Sequence, residues 1–158
     1  MSREANILVV DDDRPTTDML IEWLEKRGYS GVGAYGGQEG IEAFEQGDYD
    51  LVITDLAMPG IDGMALLETV KVRDPRMAVL MVSGLGTIEK AVLAIKKGAY
   101  DFVTKPVDFE HLEESIDRAL ERRGLLKQLG IFRGLTLALI ISIPFWLILG
   151  IILTSIWR

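Results

Sequence analysis

Cysteine is absent from the 158 residues of this chain, and histidine occurs once, at His111. The absence of cysteine excludes disulfide frameworks and thiol chemistry. A single histidine cannot form a metal site that needs several histidine ligands. The formal net charge of −7 argues against a broad basic surface, so we expect no nucleic-acid partner. The first residues lack the apolar core of a signal peptide, so we expect the N-terminal part to stay in the cytoplasm.

Short apolar runs that end in polar residues recur through the first four fifths of the chain. They predict strands at 6–10, 31–35, 50–55, 77–82 and 100–104. Apolar residues at helical spacing occupy the intervening segments, and a long amphipathic helix is predicted from residue 110 to about residue 128. This alternation of strands and helices predicts a doubly wound α/β fold around a parallel sheet.

Polar side chains at the ends of these strands are the candidate functional residues. Right-handed crossovers bring the carboxyl ends of all parallel strands to one edge of the sheet. At this edge the fold should bring together Asp11, Asp12, Asp55, Ser83 and Lys105. Clustered carboxylates repel one another and need a counter-ion, and oxygen ligands of this kind suit Mg²⁺. The Lys105 ammonium could pair with a phosphoryl group or with Asp55.

Five motifs carry a resemblance to a known family. In chain order they are Ile7-Leu8-Val9-Val10-Asp11-Asp12, Asp50-Leu51-Val52-Ile53-Thr54-Asp55, Met58-Pro59-Gly60 with Asp62-Gly63, Met81-Val82-Ser83-Gly84, and Lys105-Pro106. On these motifs, residues 5 to about 123 resemble the receiver domain of bacterial two-component response regulators. The resemblance implies a flavodoxin-like (βα)5 fold with strand order 2-1-3-4-5.

The resemblance also implies a role for each acidic residue of the site. Asp55 is then the phosphoacceptor, which takes a phosphoryl group from a sensor histidine kinase. Asp12, Asp55 and the backbone carbonyl of Ala57 are the implied direct ligands of Mg²⁺, and Asp11 is implied to act through a water molecule. The chain would be no enzyme beyond its own phosphorylation and dephosphorylation.

Three further residues have implied roles. Lys105 would neutralise one phosphoryl oxygen, and the Ser83 hydroxyl would donate a hydrogen bond to another. Phe102 matches the aromatic residue that moves inward when Ser83 approaches the phosphoryl group. An ordinary turn serine and plain core packing remain the alternative interpretations of Ser83 and Phe102.

The stretch 135–157 contains 23 residues and no charge, and it departs from the receiver pattern. A helix of this length spans about 34 Å, enough to cross a hydrocarbon core of about 30 Å. We therefore predict a receiver domain at 1–128, a basic, glycine-containing juxtamembrane linker at 129–134 and a transmembrane helix at 135–157. Basic residues before the span predict a single-pass inner-membrane protein whose receiver faces the cytoplasm; an artefactual extension is the alternative.

The predicted function is that of a membrane-anchored response regulator whose output is phosphorylation-dependent protein interaction or self-association. Dimerisation through residues 87–125 is common among similar receivers, and the apolar positions here permit it. The first alternative is a membrane-tethered docking or scaffold module in which phosphorylation is incidental. The second is a phosphohydrolase with Asp55 as nucleophile, which Ala57 disfavours because it supplies no acid or base.

Overall fold

Five strands alternate with five helices in the computed structural model, which describes residues 5–84 and 87–125. In chain order the elements are β1 (Asn6–Val10), α1 (Arg14–Glu25), β2 (Ser30–Ala34), α2 (Gly37–Gln46), β3 (Leu51–Asp55), α3 (Gly63–Arg73), β4 (Ala78–Ser83), α4 (Ile88–Lys96), β5 (Asp101–Thr104) and a last helix, α5, which the described residues cover over 109–125.

The strands form one parallel sheet in the order β2-β1-β3-β4-β5, which confirms the predicted topology. Reversal of the strand order beside β1 places helices on both faces of the sheet. The register pairs Val10 with Thr54 and Asp55 with Val82. The carboxyl ends of the central strands therefore lie side by side at one edge.

Two apolar layers fill the spaces between the sheet and its helices. On one face the core joins the sheet to α2 and α3; on the other it joins the sheet to α1 and α5. All residues of β3 and β4 are buried, as expected for central strands covered on both faces. The largest fully buried side chains include Ile7, Leu8, Ile53, Leu80 and Ile116.

The edge strand β2 begins at Ser30, one residue before its predicted start. This strand contains two glycines, a residue with a low strand propensity. A Cβ at Gly31 would lie 3.0 Å from the Ile21 side chain, and one at Gly33 would lie 2.9 Å from it. Glycine at both positions therefore lets α1 pack on β2 without a shift of the Ile21 side chain.

Helix α4 carries its apolar residues on an exposed face. The exposed fractions are 80% for Ile88, 47% for Val92, 46% for Leu93 and 47% for Ile95. Only Ala94 of this helix is buried. The helical spacing of these residues was predicted, but the structure gives them solvent contact instead of a core.

In the part of the chain that the structure describes, no helix has both the length and the hydropathy needed for a membrane crossing. The predicted linker at 129–134 and the predicted span at 135–157 lie outside the described residues. Membrane attachment therefore remains a prediction from the sequence.

We predict that Tyr29 gives the fold an alkaline-sensitive contact between β2 and α5. Its hydroxyl donates to Asp117 Oδ1 at 2.6 Å. Burial, this hydrogen bond and the Asp117 charge raise the pKa of Tyr29 to about 12. The unfolded phenol ionises near pH 10, so the stabilisation is present below pH 10 and is lost as the pH rises towards 12.

Tyr29→Phe should therefore lower the free energy of unfolding at pH 7 by about 1 kcal/mol. It should also flatten the loss of stability between pH 10 and 12, as measured by urea unfolding at several pH values. Tyr100→Phe is the matched control, because the Tyr100 hydroxyl has no hydrogen bond in the described part of the chain. Identical alkaline profiles for Tyr29→Phe and the parent chain would contradict the prediction.

Candidate functional site

The candidate site lies at the edge of the sheet where β1, β3, β4 and β5 end. Asp11 directly follows β1, Asp55 is the last residue of β3, Ser83 is the last residue of β4, and Lys105 directly follows β5. Asp11 and Asp55 are only 3% and 6% exposed, whereas the next carboxylate, Asp12, is exposed. The fold thus collects two buried carboxylates at one place, as the sequence predicted.

Lys105 compensates the charge of these two carboxylates. Its Nζ donates to Asp11 Oδ2 at 2.7 Å and lies 3.1 Å from Asp55 Oδ1. Burial raises the pKa of Asp55, and the hydrogen bond and charge of Lys105 oppose that shift. Burial also lowers the pKa of Lys105, but its contacts with Asp11 and Asp55 outweigh burial and raise it overall. The ammonium is therefore held in its charged form.

The Asp55 carboxylate is oriented by the loop that follows it. The backbone N–H of Ala57 donates to Asp55 Oδ2 at 2.8 Å. The Gly63 N–H donates to the Leu56 carbonyl at 3.0 Å, and a Cβ at Gly63 would overlap the Asp55 carbonyl oxygen. Glycine at this position therefore allows α3 to begin directly against the backbone of the candidate phosphoacceptor.

Asp11 is oriented by the start of α1. Its Oδ1 accepts the Asp13 N–H at 2.9 Å, and its backbone carbonyl accepts a bond from the buried Thr17 hydroxyl at 3.3 Å. Asp13 itself occupies the N-cap position of α1 and accepts a hydrogen bond from Thr16. The structure thus gives Asp13 a place at the helix start, beside the carboxylate cluster.

Two positions that support the site were not singled out from the sequence. A Cβ at Gly37 would overlap the backbone carbonyl of Ile61, so the start of α2 packs directly on the loop after Asp55. Thr17 is fully buried and bonds the Asp11 carbonyl. In the sequence, the adjacent glycines Gly36 and Gly37 could have pointed to the close contact at Gly37. The local sequence pattern gives no indication that Thr17 supports the site.

The chemistry of the carboxylate cluster fits Mg²⁺. One carboxylate oxygen from each of Asp11, Asp12 and Asp55 lies within 4.8 Å of the others. Oxygens bound to one Mg²⁺ ion lie about 2.1 Å from it, hence up to about 4.2 Å apart. Small side-chain rotations would therefore bring this oxygen-only set to an ion, while the remaining positions stay open to water.

Other residues with predicted roles lie around the cluster. Ser83 is buried, and its backbone carbonyl accepts the Lys105 N–H at 2.9 Å. Phe102 is partly buried against the core on the α2–α3 face and pairs with Met81 in the sheet register. The bond between Lys105 and Pro106 is cis. The predicted roles of the Ala57 carbonyl, Ser83 and Phe102 in phosphorylation stay predictions.

The chain matches a known protein family over the strands and helices that surround this edge of the sheet. The model of the response regulator receiver domain matches residues 7–117. This chain belongs to the response regulator receiver family. Receiver domains of two-component systems accept a phosphoryl group on an aspartate, bind Mg²⁺ at an acidic cluster and interact with histidine kinases.

The matched relatives are much longer proteins. The transcriptional regulatory protein GlrR of Escherichia coli is 40% identical over 120 residues, which cover 76% of this chain and 27% of that protein. The nitrogen assimilation regulatory protein NtrX of Azorhizobium caulinodans is 35% identical over 133 residues, which cover 83% and 29%. The chain therefore spans somewhat over a quarter of the length of these curated relatives.

Solved structures show the same fold. A response regulator receiver domain protein from Clostridium thermocellum has a TM-score of 0.74 and 36% identity, and the match covers 77% of this chain and 98% of that one. NtrX from Brucella abortus, solved in complex with ATP, has a TM-score of 0.75 and 36% identity; the match covers 81% of this chain and 29% of that one.

We predict that Lys105→Met makes the receiver more dependent on Mg²⁺ for stability. Without the ammonium, Asp11 and Asp55 lose their compensating charge, and the metal-free protein should lose on the order of 2 kcal/mol. Added Mg²⁺ should restore more stability to the variant than it adds to the parent, as measured by urea unfolding in chelator and in Mg²⁺. Lys90→Met, which removes an exposed lysine, is the control. Equal Mg²⁺ effects in all three chains would refute this prediction.

Proposed function

We propose that this receiver takes a phosphoryl group from a sensor histidine kinase onto Asp55, as the phosphoacceptor of a two-component system. The observation that carries the proposal is the meeting of Asp11, Asp12 and Asp55 with the Lys105 ammonium at one edge of the sheet. In this role the chain promotes only its own phosphorylation and dephosphorylation.

The proposed reaction is a phosphoryl transfer between a donor and the Asp55 carboxylate. A carboxylate oxygen attacks phosphorus and forms the acyl phosphate bond, while the bond from phosphorus to the donor imidazole nitrogen breaks and its electron pair stays with that nitrogen. Bound Mg²⁺ supplies charge screening for the two anions and alignment of the phosphoryl oxygens. Asp11, Asp12 and Asp55, with the carbonyl of Ala57, would hold the ion.

Other residues of this chain have proposed roles in orienting the reacting groups and in the change that follows. The Ala57 N–H holds Asp55 Oδ2 and leaves Oδ1, the oxygen beside Lys105, as the proposed nucleophile. The Lys105 ammonium then pairs with a phosphoryl oxygen instead of the carboxylate. The Ser83 hydroxyl donates a hydrogen bond to another phosphoryl oxygen. Movement of Ser83 would let Phe102 turn inward, which converts a local charge change into a change of surface.

Self-association is the proposed output, and the exposed face of α4 supports it. Four large apolar side chains stand on this nine-residue helix within the region 87–125. Glu89 and Lys96 lie near opposite ends of the same helix, so two antiparallel copies related by a two-fold axis would pair opposite charges. The relatives named as transcriptional regulators extend far beyond the matched region, and the expected lack of a nucleic-acid partner stays a prediction.

Phosphorylation and output can be tested in one experiment on the full chain. Acetyl phosphate with Mg²⁺ should add one phosphoryl group, measured by intact mass, and should raise energy transfer between labelled copies. Asp55→Asn should abolish both effects, because the amide is not a nucleophile. Asp13→Asn is the matched control, because it alters a neighbouring carboxylate at the N-cap and should be phosphorylated normally.

The outcomes separate the interpretations. Phosphorylation of the Asp55→Asn chain at the parent rate would refute Asp55 as the acceptor. Phosphorylation without any change in energy transfer would refute self-association and move the output to a partner protein. A parent chain that takes no phosphoryl group would refute the phosphoacceptor role and favour the docking-module alternative.

We further propose that 135–157 anchors the receiver in the inner membrane, with the receiver in the cytoplasm. The support is the length and uncharged character of this stretch and the basic residues that precede it. The full chain should float with phosphatidylcholine vesicles after an alkaline wash. Leu147→Arg/Ile151→Arg should stay unbound, since each arginine at a span centre costs about 3 kcal/mol. Leu147→Phe/Ile151→Leu is the control, and flotation of the arginine variant would contradict the anchor.

A further inference from the structure

The two edges of the sheet carry different charge. All described helices run back towards the amino-terminal edge of the sheet, where helix carboxyl ends attract basic side chains through the helix dipole. Of the thirteen lysines and arginines in the described residues, nine lie at this edge: Lys26, Arg27, Lys71, Arg73, Arg76, Lys96, Lys97, Arg122 and Arg123. The same edge also holds eight described carboxylates, so its net charge is close to zero: Glu22, Glu25, Glu45, Asp48, Asp50, Asp74, Asp101 and Glu121.

The opposite edge, where Asp55 lies, is strongly acidic. Strand ends and first helical turns place nine carboxylates there: Asp11, Asp12, Asp13, Glu39, Asp55, Asp62, Glu89, Asp108 and Glu110. Among the residues that the structure describes, Arg14, Lys90 and Lys105 are the basic side chains at this edge. An anionic surface would therefore repel this edge much more strongly than the amino-terminal edge.

Part of the basic charge is already used inside the receiver. Lys26, Arg27, Arg73 and Lys97 form ion pairs with Glu22, Glu113, Glu45 and Glu68. Arg76, Lys96 and Arg122 are exposed and have no ion pair among the described residues. These three side chains are the part of the amino-terminal edge that can meet an external anion, whereas the Lys71 Nζ donates to the Met77 carbonyl at 2.5 Å.

Arg123 behaves differently from its neighbour. Arg123 is one of the basic residues that precede the predicted span, but its side chain is only 11% exposed. Its Nη1 donates to Asp74 Oδ2 at 3.0 Å, and its Nη2 donates to the Tyr49 carbonyl at 3.1 Å. Arg123 thus fastens the end of the described part of α5 to the amino-terminal edge, because Tyr49 precedes β3 and Asp74 follows α3.

Positive charge is concentrated around this attachment. Burial lowers the pKa of Lys71, Asp74 opposes the shift, and the charges of Arg122 and Arg123 lower it further. Nine residues lie between Leu125, the last described residue, and the predicted span at 135, and they reach over at most about 35 Å.

We propose that the amino-terminal edge of the sheet docks on anionic lipid headgroups and that the receiver thereby presents its Asp55 edge away from the bilayer. The proposal rests on the membrane anchor proposed above. Arg76, Lys96 and Arg122 provide the attraction, and the acidic edge is repelled. A kinase then reaches Asp55 without competition from the bilayer.

The test uses the absence of cysteine from the full chain. Val72→Cys places a dye near the end of α3 at the amino-terminal edge, and Ile88→Cys places it at the start of α4 near the acidic edge; both positions are at least 80% exposed. Energy transfer to headgroup-labelled lipid is measured in phosphatidylcholine vesicles with and without phosphatidylglycerol. In the anionic vesicles, transfer from position 72 should rise and transfer from position 88 should fall.

Charge variants test the cause of this orientation. Each basic residue near an anionic surface changes the ratio of docked to undocked receiver about fivefold, so Arg76→Gln/Arg122→Gln should lower it about 25-fold. Arg14→Gln/Lys90→Gln removes the same charge from the opposite edge and should leave the preference for position 72 intact.

Failure of the orientation and failure of the anchor give different results. Equal transfer from positions 72 and 88 in anionic vesicles, or greater transfer from position 88, would overturn the orientation while the chain still floats. A chain that does not enter phosphatidylcholine vesicles at all would overturn the anchor, and the orientation with it.

Discussion

The contact of one ammonium with two buried carboxylates holds the candidate site together. Asp11 and Asp55 are almost fully buried, and such carboxylates repel each other unless a cation lies between them. Lys105 supplies that cation from the loop after β5. The contact links the ends of β1, β3 and β5 and sets the charge that a metal ion or a phosphoryl group meets on entering the site.

The topology of the sheet brings the three residues of this contact together. Parallel strands with helical crossovers must all end at one edge, and helices must all return towards the other. The same constraint that gathers Asp11, Asp55, Ser83 and Lys105 therefore also gathers the carboxyl ends of the helices at the opposite edge, where the last turns of α3 and α4 carry Lys71, Arg73 and Lys96. The charge difference between the two edges follows from this topology together with the residues that the sequence places at each edge.

Close backbone approaches fix the site as much as charges do. Gly63 lets α3 begin against the Asp55 carbonyl, and Gly37 lets α2 begin against Ile61 in the loop that follows Asp55. Protein interiors are packed to a density at which a single extra methyl group displaces its neighbours. The position of the Asp55 carboxylate thus depends on two residues that carry no functional group.

The sequence by itself determined the element order, the parallel topology and the polar residues at the strand ends. Apolar runs bounded by turns and the motifs around Asp11, Asp55, Ser83 and Lys105 are local signals, and local signals survive without knowledge of the fold. The glycines of β2, at positions 31 and 33, lie against the Ile21 side chain of α1, a packing contact that the local pattern does not show. Only the tertiary structure decided that Lys105 bridges Asp11 and Asp55, that the apolar face of α4 is exposed, and that Arg123 is held by Asp74 and Tyr49 while Arg122 is exposed. These outcomes depend on contacts between residues that are far apart in the sequence, and a local sequence pattern does not predict such contacts.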